Sequence, residues 1–132
     1  MIELAVHTHS RNEFVEITSR VQQLVTESMI EAGTVICFVP HTTAAVTINE
    51  NADPDVRRDI LHKLSQVFPQ QDDYRHSEGN SDAHIKASLV GSSVQVLIEN
   101  GRLALGTWQG IFFCEFDGPR GRNVLIQIVR HA

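Results

Sequence analysis

The segment 107–129 reads TWQGIFFCEFDGPRGRNVLIQIV, and its reading decides the fold class. Thr107 to Phe116 is rich in aromatic and apolar residues, a strand composition. Asp117-Gly118-Pro119-Arg120-Gly121 gathers an aspartate, two glycines and a proline, which is turn chemistry. Arg122 to Val129 then alternates, with Val124, Ile126 and Ile128 on one face, the period of a half-buried strand. Strand, short turn and strand in succession belong to antiparallel sheets, because parallel neighbours need a long crossover.

The reading extends outward from there. Ser93 to Ile98 is a strand, Glu99-Asn100-Gly101 a turn, and Arg102 to Leu105 a further strand. Glycines at 101, 106 and 110 suggest bulges or close backbone approach. At the start, Ile2 to Thr8 alternates and runs into a turn over 7–12, and Glu13 to Ile17 is a short strand. Thr18 or Ser19 is a natural helix N-cap, followed by a stripe of Val21, Leu24, Val25, Ser28, Met29 and Ala32, with Gly33 as the stop. Thr34 to Val39 is a continuous, β-branched run and reads as a buried strand ended by Pro40, and Thr42 to Ile48 is another strand. Asp53-Pro54 starts a second helix with buried Val56, Ile60, Leu64 and Val67, stopped by Pro69. Gln70 to Ser81 is a polar loop, and Asp82 caps a short helix, His84 to Val90, closed by Gly91. Strands interleave with helices outside any regular βαβ order. The expected class is therefore α+β: a mostly antiparallel sheet or sandwich with two or three helices packed on a face.

The chain has 132 residues, one domain's length, and no linker or repeat divides it, so 1–132 reads as a single domain. Hydrophobic residues at 42% support a packed core. A net charge of -5 weighs against nucleic acid as partner, since phosphate backbones need clustered Lys and Arg. No apolar run approaches the ~20 residues of a membrane span, and the first residues lack a secretory pattern. Cys37 and Cys114 each sit in an apolar strand, which reads as two buried free thiols in a reducing cytoplasm.

Seven histidines must be sorted. His62 and His131 read as solvated, and His7 and His9 as surface residues at a strand end. His41 follows Pro40 at the exit of an apolar strand, His76 lies in the polar loop, and His84 opens the short helix. Three imidazoles with an open fourth position is a catalytic zinc pattern, yet gaps of 35 and 8 residues match no closed metal motif. On spacing alone, three plain hydrogen-bonded imidazoles are the better reading than a metal site. Glu50 could serve as acid/base or as a solvated carboxylate, Thr42 and Thr43 as anion ligands or strand residues, and Arg102 as a phosphate partner or a salt bridge. Asp53 and Asp82 read first as helix caps, and Trp108 as core or subunit-interface packing. Walker, dinucleotide-binding, nucleophile-elbow and His-Glu-x-x-His motifs are lacking.

Residues 41–56 (HTTAAVTINENADPDV), Tyr74-Arg75-His76 followed by Ala83-His84-Ile85-Lys86, and 100–111 (NGRLALGTWQGI) form three blocks. Together they resemble the YjbQ-like family. The resemblance runs in order through essentially the whole chain. It implies a small cytosolic homotrimer of α+β fold, with a secondary thiamine-phosphate synthase activity that joins a pyrimidine diphosphate to a thiazole phosphate. The family's histidine blocks look like a metal or anion site and fall here on His41, His76 and His84. The reading that follows is a metal-dependent enzyme with a divalent ion, zinc or, for a transferase, magnesium. Glu50 and Arg102 would be catalytic, and Thr42, Thr43, Asn49 and Arg102 would bind a small phosphorylated substrate. A metal-dependent hydrolase of such a metabolite, or a non-catalytic anion-binding trimer, are the alternatives.

Overall fold

Eight strands and three helices follow one another as β1 (Ile2–His7), β2 (Glu13–Glu16), α1 (Thr18–Ser28), β3 (Ala32–Phe38), β4 (Ala44–Glu50), α2 (Pro54–Val67), α3 (Ser81–Val90), β5 (Ser93–Glu99), β6 (Arg102–Leu103), β7 (Gln109–Glu115) and β8 (Gly121–Arg130). The computed structural model describes all of residues 1–132. Every strand pairing is antiparallel. One sheet has the order β1-β8-β3-β5-β6 and the other β2-β7-β4. The class is α+β, as the sequence indicates.

The two sheets enclose one core, with Val35 and Cys37 of β3, Val96 and Ile98 of β5, and Val124 and Ile126 of β8 facing Ala44, Val46, Ile111 and Phe113. α1 contributes Val21 and Val25 and closes one end of the sandwich. The far face of the three-stranded sheet buries Phe14, Ala45, Phe112, Cys114 and Phe116 under α3 and the inner stripe of α2. β7 is thus covered on both faces, which is why Ile111-Phe112-Phe113-Cys114 shows no alternation.

Some local expectations shift. The turn 117–121 carries the chain from one sheet to the other, since β7 and β8 do not pair. α1 has Ile17 at its N-cap, while the Thr18 hydroxyl accepts from the Ile111 amide instead (2.8 Å). The same helix ends at Ser28, with Met29 in the left-handed region, so Ala32 and Gly33 belong to β3. Asp53 caps α2 as read, accepting from the Asp55 amide at 2.9 Å. Asp82 does not cap α3. Asn80 holds that position, and the buried Asp82 carboxylate takes a fork from Arg11 (2.9 and 3.0 Å) and a bond from buried Lys86 (3.0 Å). β3 is buried on one face only, because no helix covers the outer face of the five-stranded sheet. There Phe38 is 43% exposed, Leu97 62% and Val129 44%. Trp108 is 62% exposed and so is not core in the single chain.

Candidate functional site

The end of the sandwich opposite α1 is closed by polar groups. Glu115 ends β7 and Arg122 begins β8, both buried. The Arg122 guanidinium donates to both Glu115 oxygens and to the Thr43 hydroxyl (2.9 Å). Thr8 donates to the same carboxylate at 2.8 Å, and the amides of Phe116 and Asp117 donate to it at 3.1 Å. Burial alone would raise the Glu115 pKa, but the hydrogen bonds from Arg122 and Thr8 outweigh it and hold the carboxyl below its ordinary value.

His41 lies just outside this plug. Its Nε2 accepts from the Asn123 backbone amide at 3.0 Å, so that nitrogen carries the lone pair and the neutral ring is protonated at Nδ1. Burial and the Arg122 guanidinium lower its pKa, outweighing the Glu115 carboxylate, which raises it. His41 borders a cavity of about 370 Å³ between the β3–β4 connection and α3. Thr42, His84, Ser88 and Ser92 share its wall with Ala44, Ala87 and Gly91. On α3, residues 84, 87 and 88 share one face by the 3.6-residue period, and the capping Gly91 continues it.

His76, which is not part of that wall, meets His84 edge to face, the ring centres 5.4 Å apart. Two imidazoles on one zinc ion, each nitrogen ~2.0–2.1 Å from the metal, hold their ring centres roughly 5 Å apart. The Ser81 hydroxyl donates to the His76 carbonyl (3.5 Å), which leaves its oxygen to accept from Nδ1 of the His76 ring (3.0 Å). In that tautomer Nε2 carries the lone pair, with an exposed Glu78 carboxylate oxygen 3.8 Å away. The spacing of the two rings is that of a pair of imidazole ligands on one divalent ion. His41 fits the same ion only if it surrenders its hydrogen bond to Asn123. A single chain gathers no cluster of three or more His, Cys, Asp or Glu side chains suited to one ion.

The other sequence candidates lie elsewhere. Thr43 is buried, and its hydroxyl serves Arg122. Asn49 and Glu50 sit at the opposite end of β4, whose seven residues span about 20 Å. Asn49 Oδ1 accepts from the Glu50 amide, and a Glu50 carboxylate oxygen accepts from the Asp53 amide (3.2 Å). Arg102 lines a separate groove with Glu16, Thr18 and Gln22 beside α1, and forms no ion pair. Of the proposed set, the chain itself gathers His41, Thr42 and His84 around one cavity, with His76 against His84. Sequence reading missed Ser88, Ser92 and the orienting Asn123. The helical spacing from His84 would have found Ser88, whereas nothing local marks an amide 82 residues away.

The family model for UPF0047 protein YjbQ-like matches residues 2–131. The chain belongs to this family. Among its relatives, the UPF0047 protein YugU of Bacillus subtilis is 50% identical, covering 96% of each chain. A UPF0047 protein of Methanocaldococcus jannaschii is 49% identical over 98% of this chain and 94% of its own length. Among solved structures, an uncharacterized conserved protein of the YjbQ/UPF0047 family from Clostridium acetobutylicum superposes with a TM-score of 0.96 at 58% identity, covering 98% of this chain and 100% of that one. A YbjQ-like protein of unknown function from Sulfolobus solfataricus has a TM-score of 0.94 at 34% identity, covering 98% and 96%. The same two-sheet scaffold thus persists in UPF0047 relatives at about one-third identity. No helix of the chain is long and apolar enough to cross a membrane.

Proposed function

We propose that the protein is a metal-dependent enzyme acting on a small phosphorylated metabolite in the cavity between His41 and His84. The observation that carries this reading is the convergence of His41, Thr42 and His84 on one cavity, with His76 against His84. His76 and His84 would hold a divalent ion, zinc by ligand type, with magnesium the alternative for a transferase. Such an ion supplies Lewis acidity at a phosphoryl oxygen. Thr42 and Ser92 offer hydroxyls to the substrate anion, and His41 offers its ring N–H.

For the reaction, the family resemblance suggests the thiamine-phosphate synthase type, joining a pyrimidine diphosphate to a thiazole phosphate. A second reading, hydrolysis of a single phosphorylated metabolite, is favoured by size. About 370 Å³ is at the low end of ligand sites (~300–1,000 Å³) and suits one such molecule better than two. Glu50, Asn49 and Arg102 lie outside the cavity of their own chain, and in this proposal they act from a neighbouring copy of a homotrimer. The uncovered apolar face of the five-stranded sheet supports association. The two buried free thiols fit a cytoplasmic setting, with burial pushing Cys37 up to about 11.

The test is product analysis on zinc-loaded protein, with each phosphorylated substrate alone and with the pair. Coupled product only from the pair supports the transferase, and phosphate release without an acceptor supports the hydrolase. No turnover with any substrate, together with unchanged zinc content in His84→Ala, would sink both.

A further inference from the structure

The fold assigns a proton. His41 Nε2 accepts from the Asn123 amide in β8, and the next residue back, Arg122, holds Thr43 in the same connection. The imidazole is thus fixed at its own nitrogen and again two residues further on. With Nε2 an acceptor, the ring has only Nδ1–H to offer the cavity. Giving Nδ1 a lone pair for a metal ion would move the proton to Nε2. There it would meet a second N–H donor at 3.0 Å and leave the Asn123 amide without its acceptor. The imidazolium form meets the same conflict.

A fixed N–H donor selects an acceptor. The side chains around it include the Thr42 and Ser92 hydroxyls but no carboxylate, so an anion meets no like charge on the cavity wall. Ser88 is already engaged, donating to the His84 carbonyl at 2.8 Å. Phosphate oxygens accept from several donors at once and match such a wall.

We infer that His41 is a phosphate-binding residue acting through Nδ1–H, with the Asn123 amide as its positioning partner, and that it is not a ligand of the ion assigned to His76 and His84. This deepens the proposed function and rests on that reading of the cavity.

The test is long-range ¹H–¹⁵N correlation on ¹⁵N-histidine protein, titrated first with inorganic phosphate and then with zinc. The expected result is a protonated Nδ1 and a lone-pair Nε2 at His41, a saturable shift of its Nδ1 signal with phosphate, and no change of tautomer with zinc. His41→Asn, whose amide N–H reaches the Nδ1 position, should retain phosphate binding within about twofold. His41→Gln should weaken it by about three- to tenfold, the worth of one neutral hydrogen bond. An Nε2–H tautomer, zinc binding at His41, or a phosphate shift at His84 with His41 unmoved would each overturn the inference while leaving the cavity reading in place. Phosphate and zinc both leaving every cavity histidine unmoved would overturn the two together.

Discussion

Replacing Arg122 by methionine tests the plug that positions His41. The substitution keeps most of the aliphatic volume and removes a guanidinium bonded to Glu115 and Thr43. Breaking a buried pair from one side costs about 3–5 kcal/mol, because the remaining charge stays buried without its partner. Glu115 would keep the Thr8 hydroxyl and two backbone amides, which places the expected loss near the low end, about 3 kcal/mol. For a chain of this length that corresponds to a fall in Tm of roughly 10–15 °C. The cost should depend on pH in a definite direction. In the native protein Glu115 titrates below its ordinary value, so its contribution is present above pH ~4 and fades as pH falls through the depressed pKa. In Arg122→Met the carboxyl titrates above its ordinary value, so protonation in mild acid removes the unpaired charge and the difference from wild type shrinks. Adding Glu115→Gln removes that charge at every pH and should recover at least about 1.5 kcal/mol. Urea unfolding followed by circular dichroism, at fixed protein concentration and several pH values, measures all of this. A loss under about 1 kcal/mol at pH 7, or a loss that grows toward acid, would refute the reasoning.

Three further outcomes follow from the packing. Lys86→Met removes one of the two cations on buried Asp82 along with bonds to Asn12 and Ser65, and should cost about 3 kcal/mol in the same unfolding assay. Gly33→Ala would set a methyl group 2.2 Å from the Val129 carbonyl oxygen, forcing β3 from β8, so a destabilisation of about 2 kcal/mol or more is expected by thermal unfolding. Leu97→Arg places a charge on the uncovered outer sheet face, through which the proposed trimer would associate, so sedimentation of the variant should show monomer where the unsubstituted protein shows trimer, with far-ultraviolet circular dichroism unchanged.

Most of the fold was legible because its signals are local. Asp53-Pro54 wrote the start of α2 in two letters, and Val124, Ile126 and Ile128 gave β8 its inner face. What sequence could not reveal was partnership. A strand buried on both faces and a strand with one uncovered face look alike in one dimension, so β3 read as fully buried although it is the three-stranded sheet, β7 above all, that is covered on both faces. Asp82 resembled a cap because it stands at a helix start, and its real partners, Arg11 and Lys86, are visible only after folding. Of the site, the three histidines and Thr42 carried recognisable chemistry. The tautomer of His41 depends on an amide of β8, 82 residues away, and the distance from Glu50 to the cavity depends on how far β4 extends.

The central claim is that His76 and His84 share a divalent ion at the edge of the cavity bordered by His41. An anomalous-difference map from crystals grown with zinc, recorded on both sides of the zinc absorption edge, addresses it directly. The account requires one strong peak within coordination distance of both the His76 and His84 rings, with His41 still bonded to the Asn123 amide. A map with no peak between those two rings, or with its only peak on unrelated surface histidines such as His7 and His9, would contradict it.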